Sequence, residues 1–173
     1  MPLRTETYDF DEEEQRLEDK IEELDDVLDD VDDADIQQRF ETERTQLQTH
    51  LEGVRWARDE AHDAEYAPMW DEDVDAVELG GLTGGEFGAL EDDVGEHGGG
   101  SGAVRVYQVA KGTVDAPYVD DSMDDDQLVA TVSNLPVAYL KWAQNRIDAL
   151  TGVGGNGETN YRALYEEIAE NSQ

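Results

Sequence analysis

Cysteine is absent from all 173 residues. That excludes disulfides, thiolate metal sites and a cysteine nucleophile, and leaves the redox compartment open. Lysine is nearly absent, with Lys20, Lys111 and Lys141 the only three. The segment 1–15, MPLRTETYDFDEEEQ, carries no apolar stretch of the signal-peptide kind. No run approaches the ~18 apolar residues of a membrane span, so neither secretion nor a membrane partner is expected. Hydrophobic residues make up 38% of the chain, little for a globular protein but more than a disordered tail carries. The length has room for one domain, or for one domain with an appended helical element.

Acid is what the chain has in excess. Asp and Glu number 45 against 12 Lys and Arg, for a formal net charge of -33. Acid excess, scarce lysine and a short apolar inventory together resemble the proteins of salt-in halophilic archaea. Near-molar salt cuts the Debye length to about 3 Å, which screens the self-repulsion of such a surface. Phosphate backbones are repelled, so direct nucleic-acid binding is not expected.

Helical periodicity organises the first third. Leu17, Ile21, Leu24, Leu28 and Val31 repeat at alternating spacings of four and three, a heptad seam among acids. A second seam, Ile36, Phe40, Leu47, Leu51 and Val54, starts out of phase after DDVDDADI at 29–36, which is rich in capping and turn residues. The pattern predicts antiparallel helices over about 12–32 and 35–64, with one long helix carrying a phase slip as the competing reading. Pro68 ends the region, and Tyr66, Met69 and Trp70 form an apolar joint. Residues 75–79, DAVEL, read as a short extended segment. Thr83 and Glu86 have capping-box spacing, and Phe87, Leu90 and Val94 continue it as a short helix.

The glycine-rich stretch 98–102 reads as a flexible linker and lacks the Gly-Lys-Ser/Thr ending of a phosphate loop. Residues 104–111 fit a strand by their valines and a helix by their spacing. Three aspartates at 124–126 suit a helix N-terminus. Pro136 then restarts the chain as a further helix, with Val137, Leu140, Ala143, Ile147 and Leu150 on one apolar face and Tyr139, Trp142 and Ala149 on a second. Residues 152–157 read as a linker, and Tyr161, Leu164, Tyr165 and Ile168 mark a last amphipathic helix. The whole predicts a mainly α fold: an acidic N-terminal helical hairpin or coiled coil over 1–70, then a small helical domain over 71–173 with at most one short extended segment.

No catalytic constellation is legible. His50, His62 and His97 are dispersed, the run DDSMDDD lacks the glycine and bidentate glutamate of a calcium loop, and no serine sits in a nucleophile elbow. The expectation is a protein that is not an enzyme and takes no metal or cofactor.

Three segments carry a resemblance over about residues 74–152. They are VELGGLTGGEF at 77–87, VAKGTVDAPYV at 109–119, and a final pattern carried by Leu135, Pro136, Lys141-Trp142, Ile147, Leu150, Thr151 and Gly152. In this order, with an acidic gap before the last, they resemble the tail assembly chaperones of tailed viruses. With the halophile-like composition, the resemblance implies a haloarchaeal tailed virus or provirus. It implies a protein of the host cytoplasm that coats the tape measure protein and recruits tail tube protein subunits. A structural virion part, such as a head-tail connector or tail-associated subunit, is the second reading, and self-association is left open.

Residues 128–151 hold only Lys141, Arg146 and Asp148 as charged groups, and segments are spared charge when they are buried in a core or against a partner. The two apolar stripes there nominate Leu135, Tyr139, Trp142 and Leu150 for the surface that receives the tape measure helix or a second copy. The charge itself predicts salt-dependent folding. The melting temperature should be higher in about 3 M KCl than in 0.1 M KCl, and equal values in scanning calorimetry would contradict that.

Overall fold

A computed structural model describes residues 4–70, 73–96, 98–152 and 159–171. The described chain is mainly helical with one small antiparallel sheet. In order it forms β1 (Thr5–Asp9), α1 (Phe10–Asp29), α2 (Ala34–Arg55), β2 (Ala76–Gly80), α3 (Gly84–Glu96), α4 (Ser101–Gly112), β3 (Thr113–Asp115), α5 (Asp125–Val132), α6 (Val137–Thr151) and α7 (Tyr161–Asn171). Among the described residues no helix is long and apolar enough to cross a membrane.

Aspartates set the ends of the first two helices. Asp9 caps α1 by accepting from the Glu12 N–H at 3.0 Å, and Asp11, Glu12 and Glu13 follow in the first turn, where the helix dipole favours anions. The helix stops at Asp29. Asp33 then caps α2 by accepting from the N–H groups of Asp35 and Ile36 at 2.9 and 3.1 Å. The chain therefore turns within the acidic stretch rather than running through as one helix. Ion pairs join Asp25 to Arg44, Glu14 and Glu18 to Arg55, and Asp11 to Arg58, so α1 and α2 run antiparallel. The α2 geometry ends at Arg55, just past the last seam residue and short of the expected boundary at about 64. One turn of π-helix (Trp56–Glu60) and one of 3-10 helix (Ala61–Asp63) follow, with Trp56, Ala57 and Ala61 buried.

Strand order is β1-β2-β3, with both pairings antiparallel. Thr5 faces Gly80 and Asp9 faces Ala76, while the β2–β3 register shifts between Glu78 and Leu79. Three strands replace the single extended segment expected. β1 buries one side chain, Tyr8, and β3 has three residues, so neither shows the apolar alternation that marks a strand in sequence. They form because β2 would otherwise leave its backbone groups unpaired inside the molecule.

Residues 101–112 are helical. Ser101 and Gly102 lie in the first turn of α4, so the linker read over 98–102 is cut short. The Thr83–Glu86 box closes as expected: the Glu86 N–H donates to Thr83 Oγ1 at 3.2 Å, and the Thr83 N–H donates to Glu86 Oε2 at 2.7 Å. Pro136 directly precedes α6, and Gly152 ends it at φ 83°, a left-handed conformation that glycine adopts without a Cβ penalty. The rest of the linker expected after Gly152, residues 153–157, lies outside the described residues.

Helix α6 packs on α2, α4 and β2, and α7 packs on α1. One buried cluster includes Leu17, Leu51 and Val54 together with Leu79, Leu90 and Ile147. The division at residue 70 expected from the sequence is thus not a division of the core. A smaller cluster joins Leu24, Val27, Val31 and Phe40 to Tyr161 of α7.

The α2–α6 crossing is set by Gly53. A Cβ there would stand 2.4 Å from the carbonyl oxygen of Ala138, a backbone atom that cannot swing aside. Helix propensity alone would make Gly53→Ala stabilising by about 1 kcal/mol. Because α6 must move instead, the variant should lose about 1–3 kcal/mol, read from denaturant unfolding in molar KCl; a gain would show that the crossing is looser than described.

Candidate functional site

All four residues nominated from the sequence lie in the core. Tyr139 and Trp142 are fully buried, and Leu135 and Leu150 are 4% and 7% exposed. This corrects the expectation of a partner surface on that part of α6. Its second stripe is covered by the chain itself: Tyr8 and Phe10 close over Trp142, while Trp56, Trp70 and Tyr118 close over Tyr139. Trp142 packs edge-on against Tyr8 and Phe10, with ring centroids 5.9 Å away in each case. Its indole N–H donates to Glu13 at 2.9 Å. The Tyr139 hydroxyl meets the Tyr118 hydroxyl at 2.9 Å, which in turn meets Thr113 Oγ1 at 3.0 Å. Burial pushes the Tyr118 phenol up to about 12 and Tyr139 well above its ordinary value, so both stay neutral hydrogen-bonding groups. Nothing in this arrangement offers a reacting group to solvent.

The two described histidines do not come together. His62, in the 3-10 turn after α2, has Nδ1 2.8 Å from the carbonyl oxygen of Trp70, His50 lies within α2, and His97 lies outside the described residues. Among the described residues no three His, Asp or Glu side chains group so as to hold a metal ion.

A surface cleft of about 460 Å³ opens instead between α3, α4 and α5. Tyr107, Ala110, Leu128 and Val129 supply apolar surface, while Glu86, Asp93, Asp125 and Asp126 supply carboxylates, with Lys111 3.5 Å from Asp93. Both acidic walls are fixed locally. On α3, the hydrogen bond from the Thr83 backbone holds the Glu86 carboxyl below its usual range and keeps it ionised. On α5, Asp124 Oδ1 accepts from the Gln127 N–H at 2.8 Å and Gln127 Oε1 accepts from the Asp124 N–H at 3.0 Å, a closed capping box that positions Asp125 and Asp126. The cleft can receive an apolar ridge flanked by basic side chains.

The sequence marks a helix N-terminus at the aspartates 124–126, but nothing in it shows that α3 and α4 face Leu128 and Val129 of the helix that follows. No protein-family model, curated protein or solved structure matches this chain.

Core placement of Trp142 sets an expectation for its removal. Trp142→Ala should lower stability by about 3–5 kcal/mol, measured by denaturant unfolding in molar KCl, before any change in partner binding is seen. A variant as stable as the parent would return Trp142 to the surface.

Proposed function

We propose that the protein is a non-enzymatic tail assembly chaperone of a haloarchaeal tailed virus or provirus, binding the tape measure protein and recruiting tail tube subunits. The observation that carries this reading is the α3–α4–α5 cleft, apolar between acidic walls. Two of the segments that resemble tail assembly chaperones border it, 77–87 through Glu86 and 109–119 through Ala110, Lys111 and Thr113. A groove of this kind takes the apolar face of an amphipathic helix and selects basic flanks. The acidic helix pair at the N-terminus then serves as a solvating exterior for a complex whose partner is long and apolar. A chaperone role leaves the protein in the host cytoplasm and out of the mature particle.

The test is co-expression with the long helical product of the neighbouring gene, in a host that accumulates molar salt. The wild type should bring that product into the soluble fraction. Charge reversal of the exposed rim, Asp125→Lys with Asp126→Lys, should lower co-purification at least tenfold, equivalent to about 1.4 kcal/mol, while circular dichroism stays unchanged. No gain in solubility with the wild type would overturn the chaperone role. Recovery of the protein in purified mature particles would favour the alternative, a head-tail connector or tail-associated subunit.

A further inference from the structure

In a chain of net charge -33, a basic side chain is expected to find a carboxylate. Arg16, Lys20, Arg44, Arg55, Arg58, Lys111, Arg146 and Arg162 all do. Arg4, Arg39, Arg105 and Lys141 make no ion pair among the described residues, and of these Arg105 and Lys141 line the same cleft, of about 410 Å³, between α2, α4 and α6. Arg105 Nε donates to Gln144 Oε1 at 3.2 Å and makes no ion pair among the described residues. The Lys141 ammonium makes neither a hydrogen bond nor an ion pair among them.

The walls of this cleft are polar and almost free of acid. Helix α2 contributes Thr45, Gln46 and Thr49, and α6 contributes Asn145. The side-chain amides of Gln46 and Asn145 make no hydrogen bond among the described residues. No Asp or Glu occurs in residues 44–51 or 137–147. Burial explains this for the apolar positions, but Thr45, Gln46 and Asn145 are exposed. Acid has been kept off a solvent-facing surface.

One carboxylate, Asp148, reaches the cleft, and its charge is committed inward. Gln108 Nε2 donates to it, Gln144 Nε2 donates to Gln108 Oε1 at 2.9 Å, and Gln144 Oε1 receives Arg105. This chain orients the guanidinium without neutralising it. Burial raises the Asp148 carboxyl above its usual range, which weakens its claim on either cation. His50 stands on the same wall, its imidazole lowered to about 4, first by burial and then by Lys141 beside it, with Glu13 opposing. The ring is therefore neutral near pH 7 and faces Lys141 as an uncharged neighbour.

We propose that the cleft between α2, α4 and α6 binds the oxyanion group, phosphate or carboxylate, of a small polar ligand. Lys141 supplies a point charge and Arg105 an oriented fork of donors. Gln46, Asn145 and the His50 ring supply neutral hydrogen bonds, and the volume lies in the range of small-molecule sites. The strongly negative surround does not prevent this in molar salt, where repulsion beyond about 3 Å is screened. The site shares no lining residue with the α3–α4–α5 cleft and does not rest on the assembly role.

The experiment titrates the full chain into inorganic phosphate, followed by ³¹P NMR in molar KCl at constant ionic strength, and into ¹³C-labelled citrate as the carboxylate arm. Saturable line broadening of one probe is expected, and which one responds assigns the oxyanion. Lys141→Gln and Arg105→Gln should each weaken binding at least tenfold, while Lys111→Gln, which removes a cation from the other cleft, should not. Because the Lys141 ammonium holds nothing within the described protein, Lys141→Gln stays decisive even if Arg105→Gln loosens the fold through Gln144. No saturable response to either probe, or unchanged binding by Lys141→Gln, would overturn the proposal.

Discussion

Glu13 joins the first helix to the sixth. Among the described residues it is the only carboxylate-bearing residue that is buried. Arg146 grips it with Nε at 3.0 Å and a second nitrogen at 3.3 Å, Arg16 does the same from within α1, and the indole N–H of Trp142 completes the shell. A buried ion is costly unless every lone pair has a donor, and here several donors converge on two oxygens. The same residues fasten the sheet. The Arg146 guanidinium lies 5.4 Å from the centre of the Tyr8 ring, and Trp142 packs against both Tyr8 and Phe10. β1, α1 and α6 are thus held at one polar point inside an apolar core. Breaking such a site on one side leaves a charge stranded, which costs about 3–5 kcal/mol, a large share of the stability of any domain.

With that point fixed, the exterior divides by charge. The α3–α4–α5 cleft sets apolar side chains between carboxylates, and the α2–α4–α6 cleft sets two cations among amides and hydroxyls. Helix α4 stands between them, giving Tyr107, Ala110 and Lys111 to one and Arg105 to the other. A surface under uniform pressure toward acid would erase both features. Both proposed binding sites rest on this division of one helix between two clefts of unlike chemistry.

Local signals were legible in the sequence wherever neighbouring residues decide the outcome. The seam of Leu17, Leu24 and Leu28, the Thr83–Glu86 box, the restart at Pro136 and the stop at Gly152 each follow from spacing and capping, and each is where it was expected. What was hidden depends on distant partners. Nothing in TETYD announces that it will pair with AVELG some seventy residues on. The second stripe of α6 was correctly read as apolar, yet a stripe cannot say what covers it, and Tyr8, Phe10, Trp56, Trp70 and Tyr118 took the place assigned to a foreign helix. Residues 104–111 show the same limit: their valines favour a strand, and packing against α3, α5 and α6 makes them a helix. Neither cleft could be read, because each is bounded by side chains of three separate helices whose mutual packing no local spacing specifies.

The pairing of β1 with β2 also bears on how the fold is reached. Residues 5–9 find their partners only when 76–80 are present, and Glu13 finds Arg146 only when α6 exists. Contacts of such long sequence separation close late, because loop entropy is lost before they give anything back. During synthesis on the ribosome, α1 and α2 therefore emerge as a pair of acidic helices with an unfilled inner face, and Glu13 is one more hydrated carboxylate. The larger core closes only once residues 137–151 are made, because Tyr139, Trp142 and Ile147 of α6 are part of it.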